Sequence, residues 1–299
     1  MPDKPLLAVP NVSEGRRQTT IKAIAAAFTA GGTTRLLDVH SDADHHRSVF
    51  TLAGVQGELS GSLLTGARVA LEQIDVAETR DPADIGAHPH VGAVDVMPLV
   101  YLDASQRGAA CAEALVVAAN LGDELGVPVL LYGELAQGRT RAELRRGGVT
   151  GLAQRLNDGE LRADFGLPRM HPTGGATLVA AREPLVAFNL ELAPPATLAD
   201  AQRIAGLIRE GGAHGLGGVR AIGVALSGKG AVAQLSMNIE RPLELPLCAV
   251  VEAVREHAEV ASAELVGLAP RAAFEGFPKD VPLPGFDPGV HLIENALGF

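Results

Sequence analysis

The chain has 299 residues, of which 35 are acidic and 25 basic, so its formal net charge is −10. This charge disfavours nucleic-acid and membrane partners, because both surfaces are bound through clustered Lys and Arg. Hydrophobic residues make up 47% of the chain, which predicts folded cores rather than disorder. No apolar run approaches the roughly 18 residues of a membrane span. Cys111 and Cys248 lack metal-type spacing, and we expect a reducing, cytoplasmic location.

The first half of the chain predicts the order βαββαβ. Apolar runs predict strands over 5–10, 35–40, 47–54 and 93–102. Helical spacing predicts a helix that Ser13 or Gly15 caps and a second helix over 57–74. A helix over 105–125 and a strand over 127–132 extend this unit. The segment 133–175 is rich in Gly and Arg and predicts irregular structure between the two halves.

The second half predicts the same order again. We expect strands over 184–192 and 263–268, a hairpin of 219–226 with 231–238, and helices over 197–210 and 245–260. Thr197 is the expected cap of its helix, with Asp200 three residues later. The repeated order predicts an α+β fold with two ferredoxin-like subdomains, over 1–176 and 177–299, with helices on one face of each sheet. The Pro-rich tail after Pro270 is expected to be extended.

Three segments concentrate polar side chains. In the first, His40, Asp42, Asp44 and His46 could bind a divalent metal, as in metal-dependent hydrolases. The same residue types also form ordinary hairpin loops, and the short motif favours the loop.

The second and third segments each allow two interpretations. His88 and His90 could share a metal, although Pro89 is poor inside a strand, and a loop imidazole is also a suitable general base. The third segment, 164–176, is rich in glycine, which permits close approach to a flat ligand but equally suits a linker.

A set of short motifs, collinear along the chain, resembles one known family. The motifs lie at 9–15, 36–39, 47–51, 86–89, 92–96, 127–128, 131–134, 164–166, 175–176, 186–189, 219–223, 233–234 and 264–268. Together they resemble the glutamate formimidoyltransferases, the transferase module without its cyclodeaminase part. The resemblance extends to about residue 273.

The resemblance implies a homodimer that transfers the formimidoyl group of N-formimidoyl-L-glutamate to N5 of tetrahydrofolate in histidine degradation. Tetrahydrofolate is then a co-substrate, and no metal is expected. The catalytic histidine of the family matches His88, since an imidazole with a pKa near 6.5 can move the proton from N5 to the leaving nitrogen. We expect Arg47 and Arg182 to guide the anionic substrates. The folate-binding stretch of the family matches Gly166, Leu167, Pro168, Arg169, Met170, His171, Pro172, Thr173, Gly174 and Gly175.

The chain departs from the family at several positions. His90 replaces a usual Arg, Glu191 a usual Asn, and Gly174 the Trp of the mammalian form. Loss of a bidentate Arg weakens carboxylate binding, and an added Glu repels a dicarboxylate. A non-catalytic folate-binding paralogue, or an enzyme with a formyl or another amidine donor, is therefore an alternative. The chain has no Trp, so we expect Gly-rich backbone and His171 to hold the pterin.

Overall fold

The computed structural model describes residues 5–77 and 89–299. The chain separates into two compact units, Met1–Glu183 and Pro184–Phe299. Among the described residues, the first unit contains a seven-stranded sheet. Its strands are β1 (Leu6–Ala8), β2 (Asn11–Val12), β3 (Arg35–Asp42), β4 (Arg47–Gly54), β5 (Val94–Val100), β6 (Val129–Leu131) and β7 (Thr177–Arg182). Its helices are α1 (Gln18–Thr29), α2 (Leu59–Gln73), α3 (Arg107–Leu125), α4 (Arg141–Arg145) and α5 (Gly148–Asn157).

The first sheet is mixed rather than antiparallel. Its order is β1-β4-β2-β5-β7-β6, and β3 pairs with β4. Strand β7 runs parallel to both β5 and β6, whereas the other pairs are antiparallel. Because β7 belongs to this sheet, the first unit continues to Glu183, beyond the predicted subdomain end at residue 176.

Both faces of the first sheet are covered, so the prediction of helices on one face of each sheet is wrong for the first unit. Alternate residues of a strand point to opposite faces, and Leu131 belongs to the core that contains α1, α2 and α3. Its neighbour Leu130 belongs to a second core with Leu144 of α4 and Leu152 of α5. The prediction of irregular structure over 133–175 is therefore wrong for 141–157. The Gly and Arg content of this segment weakens the helical pattern of two short helices, α4 and α5.

The second unit has a four-stranded antiparallel sheet in the order β11-β8-β10-β9. Its strands are β8 (Val186–Leu192), β9 (Val219–Leu226), β10 (Val232–Ile239) and β11 (Val260–Val266), and its helices are α6 (Leu198–Ile208), α7 (Leu247–Arg255), α8 (Pro288–His291) and α9 (Ile293–Leu297). The predicted hairpin of β9 and β10 is confirmed. The prediction of an extended tail is wrong at α8 and α9, two single-turn helices that the proline pattern conceals.

Apolar side chains of β8 and the two longer helices form the core of the second unit. Phe188, Ile204 and Val250 are fully buried there. Helix α6 begins where predicted, because Thr197 accepts a hydrogen bond from the Asp200 N–H and the Asp200 carboxylate accepts one from the Thr197 N–H. This reciprocal capping fixes the register in which α6 presents its apolar stripe to the sheet.

Two glycines of this unit form a matched test of the packing. A Cβ at Gly223 on β9 would lie 2.3 Å from the Gln202 backbone nitrogen of α6, whereas a Cβ at Gly206 meets nothing within 4 Å. We predict that Gly223→Ala lowers the free energy of unfolding by about 1–3 kcal/mol. Gly206→Ala, in the helix interior, should raise it by about 0.5–1 kcal/mol. Urea unfolding measures both, and equal effects of the two substitutions would contradict the close α6–β9 approach.

Candidate active site

The predicted catalytic residue, His88, lies outside the described residues, and the described chain resumes at Pro89. The Pro89 carbonyl accepts a hydrogen bond from Nη2 of Arg47 over 3.3 Å. The Val91 N–H donates to Oδ1 of Asp95 over 2.8 Å. Asp95 is only 1% exposed, so this contact fixes the chain after His88 to a buried anchor in β5.

Two arginines contact the Asp95 carboxylate. Arg145 of α4 donates from Nη2 to Oδ2 of Asp95, and Nη2 of Arg47 lies 3.5 Å from the same oxygen. Burial lowers the pKa of Arg47 to about 10; the Asp95 charge opposes this shift, and the charges of Arg145 and Arg141 add to it. Arg47 and Arg145 thus share one carboxylate, and Arg141 adds positive charge near Arg47. A group of arginines suits the binding of an anion.

Tyr132 adds a hydrogen-bond donor beside this cluster. The guanidinium carbon of Arg141 lies 5.8 Å from the centroid of its ring. The phenolic oxygen is buried, and within the described part of the chain it has no hydrogen-bond partner. A buried hydroxyl is costly unless it is paired. The Tyr132 hydroxyl is therefore suited to donate to an anion held by the arginines.

The end of the predicted folate stretch forms a tight turn. The His171 N–H donates to the Gly175 carbonyl over 3.0 Å, and the Gly175 N–H donates back over 3.1 Å. The Gly174 N–H donates to Nδ1 of the His171 ring over 2.8 Å. Since Nδ1 accepts, the hydrogen of a neutral ring is on Nε2. His171 thus offers an Nε2–H donor.

This turn packs against the segment that follows His88. The Ala93 N–H donates to the Gly174 carbonyl over 2.9 Å, and the Ala176 N–H donates to the Val91 carbonyl over 3.0 Å. A Cβ at Gly92 would lie 2.0 Å from the Ala176 carbonyl oxygen. The two predicted segments are therefore neighbours, and glycine makes the close approach of their backbones possible.

The beginning of the same stretch lies elsewhere in the unit. Gly166 has a positive φ of 77°, and a Cβ there would lie 2.2 Å from the Val127 carbonyl oxygen, next to the end of α3. Four residues of the stretch are exposed: Leu167, Pro168, Arg169 and Pro172. Met170 packs on the second core, and the Thr173 carbonyl accepts a hydrogen bond from the Val76 N–H. The ten residues thus run from α3 to the turn beside residues 91–93.

Arg182 is not near Arg47. It ends β7 opposite Val100, whereas Asp95 lies near the start of β5. Five residues of strand separate these levels by about 17 Å. Nη1 of Arg182 donates to the Glu183 carbonyl. Of the two predicted arginines, only Arg47 therefore lies at this site. Arg141 and Arg145, which were not predicted from the sequence, lie there with it.

The Glu14 side chain, rather than the predicted Ser13 or Gly15, supports the N-terminus of α1. The prediction of the capping residue is therefore wrong. The Glu14 Oε1 accepts from the backbone N–H groups of Arg16 over 2.8 Å and Arg17 over 2.9 Å. Burial raises the pKa of Glu14, but these two hydrogen bonds and one from the Arg17 side chain outweigh it, so the pKa is below its ordinary value. Ser13 instead donates from Oγ to the Gly92 carbonyl over 2.7 Å.

The histidine-rich hairpin between β3 and β4 does not gather a metal-ligand set. The Asp42 carboxylate accepts from the His45 N–H over 2.7 Å and so closes the turn. Nδ1 of His46 accepts from the Gly15 N–H over 3.2 Å, and burial lowers the pKa of His46 although Glu14 opposes the shift. Within residues 5–77 and 89–299, three side chains that could together bind a metal ion are found in the second unit and not in this hairpin.

Glu191, the departure expected to repel a dicarboxylate, is paired within the second unit. Its Oε1 lies 2.5 Å from Nζ of Lys229, and its Oε2 accepts from the Ser262 hydroxyl over 3.1 Å. The ion pair offsets the charge of the carboxylate. Repulsion of an anionic substrate by Glu191 is correspondingly reduced.

Comparison with known proteins identifies the family. Residues 6–182 match the model of the formiminotransferase domain, N-terminal subdomain. Glutamate formimidoyltransferase of Streptococcus pyogenes serotype M1 is 33% identical over 97% of this chain and 97% of its own. The corresponding protein of Thermoplasma acidophilum is 32% identical over 97% of this chain and 96% of its own. The formimidoyltransferase-cyclodeaminase of Gallus gallus is 37% identical over 89% of this chain, which covers half of that protein.

The architecture and these matches define a transferase domain of the formiminotransferase type. This chain belongs to the glutamate formimidoyltransferase family. Among its described residues, no helix has both the length and the apolar character needed to cross a membrane.

The lowered pKa of Glu14 predicts an acid-sensitive contribution to stability. This contribution is present above the ordinary glutamate pKa and is lost as the pH falls through the lowered value. Glu14→Gln should lower the free energy of unfolding by about 1–3 kcal/mol at pH 7. The difference in this free energy between the variant and the unaltered chain should shrink below pH 4. Urea unfolding between pH 7 and pH 3.5 measures the difference. Glu72→Gln, at an exposed position on α2, is the control; a Glu14→Gln deficit that does not change with pH would contradict the charged contact.

Proposed function

We propose that this protein transfers the formimidoyl group of N-formimidoyl-L-glutamate to N5 of tetrahydrofolate, within histidine degradation. Membership of the glutamate formimidoyltransferase family supports this activity. The observation that carries the proposal is the double attachment of the chain just after His88. Pro89 contacts Arg47, and Val91 and Ala93 are hydrogen-bonded to the turn around Gly174. A group transfer needs its donor and acceptor side by side, and this arrangement supplies adjacent sites for both.

His88 is the proton shuttle in this proposal. The secondary amine N5 of the folate attacks the formimidoyl carbon and gives its proton to the His88 imidazole. The imidazole then returns that proton to the glutamate nitrogen as its bond to the carbon breaks. Glutamate leaves and 5-formimidoyltetrahydrofolate forms, so the imidazole ends the cycle unchanged. An imidazole with a pKa near neutrality is suited to both proton transfers.

The arginine cluster is the proposed site for the carboxylates of the donor. Arg47 and Arg145 contact Asp95, and Arg141 adds positive charge near Arg47. Guanidinium groups of this kind suit the carboxylates of a dicarboxylate. The unpartnered hydroxyl of Tyr132 can add a neutral hydrogen bond to one of its oxygens. Local charge of this kind explains how a chain of net charge −10 could bind an anionic substrate.

The pterin is proposed to lie along the glycine turn. Gly174 and Gly175 are buried and present backbone rather than side chains, and His171 offers its Nε2–H. A polar group on the edge of a pterin can pair with this imidazole donor, and the glycines leave room for the ring beside it. Position 174 is crowded on one side, since a Cβ there would lie 2.3 Å from the Leu71 side chain. The remaining predicted contacts, Gly166 to Met170 with Pro172 and Thr173, would then serve the folate tail.

The assembly belongs to the same proposal. We propose a cytoplasmic homodimer in which the second unit of each chain is a ferredoxin-like subdomain. The second unit supports this fold, because its strands and two longer helices follow the order βαββαβ with the antiparallel strand order β11-β8-β10-β9. Light scattering on the protein as it elutes from a size-exclusion column measures its mass and distinguishes a dimer from a monomer.

The first functional prediction concerns His88. The chelator-treated protein should convert tetrahydrofolate and formimidoylglutamate to 5-formimidoyltetrahydrofolate without added metal. His88→Ala should lower kcat by about 10²–10⁴-fold because the proton shuttle is lost. His291→Ala, in the second unit, is the control for loss of an imidazole. Folate binding without turnover would favour the non-catalytic paralogue. Turnover by His88→Ala at the unaltered rate would overturn the role of His88.

The second functional prediction concerns the donor site. Arg145→Lys keeps a cation beside Asp95 but loses the planar fork that binds a carboxylate in two places. We predict that KM for formimidoylglutamate rises about tenfold, equivalent to about 1.4 kcal/mol, while KM for tetrahydrofolate changes little. Arg182→Lys, about 17 Å away along the strand direction, is the matched control. A rise in KM for tetrahydrofolate alone would show that the cluster serves the folate instead.

A further inference from the structure

Three side chains of the second unit bring metal-binding atoms together. They are His214, in the loop after α6, and Glu256 and His257, which directly follow α7. One ligand atom from each side chain lies within 4.8 Å of the other two. We propose that this group, the His214–Glu256–His257 cluster, binds a divalent transition-metal ion such as Zn²⁺.

The distance between the two imidazoles fits a shared ion. Nδ1 of His214 lies 3.1 Å from Nε2 of His257. Two nitrogens bound tetrahedrally at about 2.05 Å from zinc are roughly 3.3 Å apart. The rings are inclined by only 21°, with centroids 5.1 Å apart. Little rearrangement of either side chain would therefore place both nitrogens around one ion.

Without an ion, the same two atoms can share a hydrogen. A neutral imidazole has one N–H donor and one acceptor nitrogen, so one ring donates to the other. Ligation requires only that the donating ring move its hydrogen to its other nitrogen. No oxidation or proton release is needed, and both nitrogens then present lone pairs.

The backbone holds both histidines in place. The His214 N–H donates to the Leu207 carbonyl over 3.0 Å, and the His257 N–H donates to the Val254 carbonyl over 2.9 Å. The two carbonyls belong to α6 and α7, whose apolar faces are part of one core. The metal would therefore join the loop after α6 to the end of α7.

The donor set indicates the class of ion. Imidazole nitrogens suit zinc, copper and nickel, whereas calcium and magnesium prefer oxygen ligands. Two imidazoles and one carboxylate make three protein ligands and leave a fourth position to water or another ligand. His214 and Glu256 are exposed, so an ion can reach the cluster directly from solvent.

Equilibrium dialysis of the full chain against zinc chloride, after chelator treatment, tests the proposal. The unaltered chain should bind one more equivalent than His214→Gln or His257→Gln, or bind that equivalent at least tenfold more tightly. Glu259→Gln, which changes a nearby exposed acid outside the cluster, should keep the equivalent. Loss in Glu259→Gln as well, or retention in both histidine variants, would overturn the assignment.

Thermal unfolding provides the second measurement. An ion that binds the folded state raises the unfolding temperature. Zinc should therefore stabilise the unaltered chain and Glu259→Gln more than either histidine variant. Circular dichroism without zinc checks that all variants are folded. Equal stabilisation of all four proteins would place the zinc elsewhere. An unaltered chain that binds no zinc would exclude the site.

Discussion

The buried carboxylate of Asp95 is the contact on which the candidate active site depends. It accepts a hydrogen bond from the Val91 N–H, pairs with Arg145 and lies 3.5 Å from Arg47. A buried charge is costly unless it is paired and hydrogen-bonded. Asp95 therefore holds together the start of β5, the start of β4 and the short helix α4. The same contact positions the chain just after His88.

The glycines near the site act through close backbone contact. A Cβ at Gly92 or Gly175 would approach a backbone carbonyl oxygen within 2.0 Å or 2.3 Å. This close packing joins the segment after His88 to the turn around Gly174. The arginines of the proposed donor site and the proposed pterin surface are consequently attached to one short piece of backbone. An enzyme that aligns two substrates benefits from such a rigid connection.

Much of the fold could be predicted because its signals are local. The capping pair of Thr197 and Asp200, three residues apart, marks the start of α6, and strand alternation marks the β9–β10 hairpin. The helix α4 carried an equally local signal, Thr140 followed by Glu143, which form a capping box. The surrounding glycines and arginines concealed it.

The site was less predictable because its contacts connect distant residues. Arg145 and Asp95 are 50 positions apart, and nothing in either local sequence indicates the pair. Arg47 lies in one of the family motifs, whereas Arg182 lies in none of them, and the strand register places it opposite Val100 at the end of β7. Glu14 lies between Ser13 and Gly15, whose residue types are more common at helix N-termini. Its carboxylate nevertheless accepts the hydrogen bonds at the start of α1.

The most direct test of the account is a crystal structure of the protein with tetrahydrofolate and N-formyl-L-glutamate, in which an oxygen replaces the imino nitrogen of the donor. We predict that the glutamate carboxylates lie within hydrogen-bond distance of Arg47 and Arg145, and that the pterin lies against Gly174 and Gly175. Carboxylates bound away from these arginines, or a pterin bound away from the glycine turn, would contradict it.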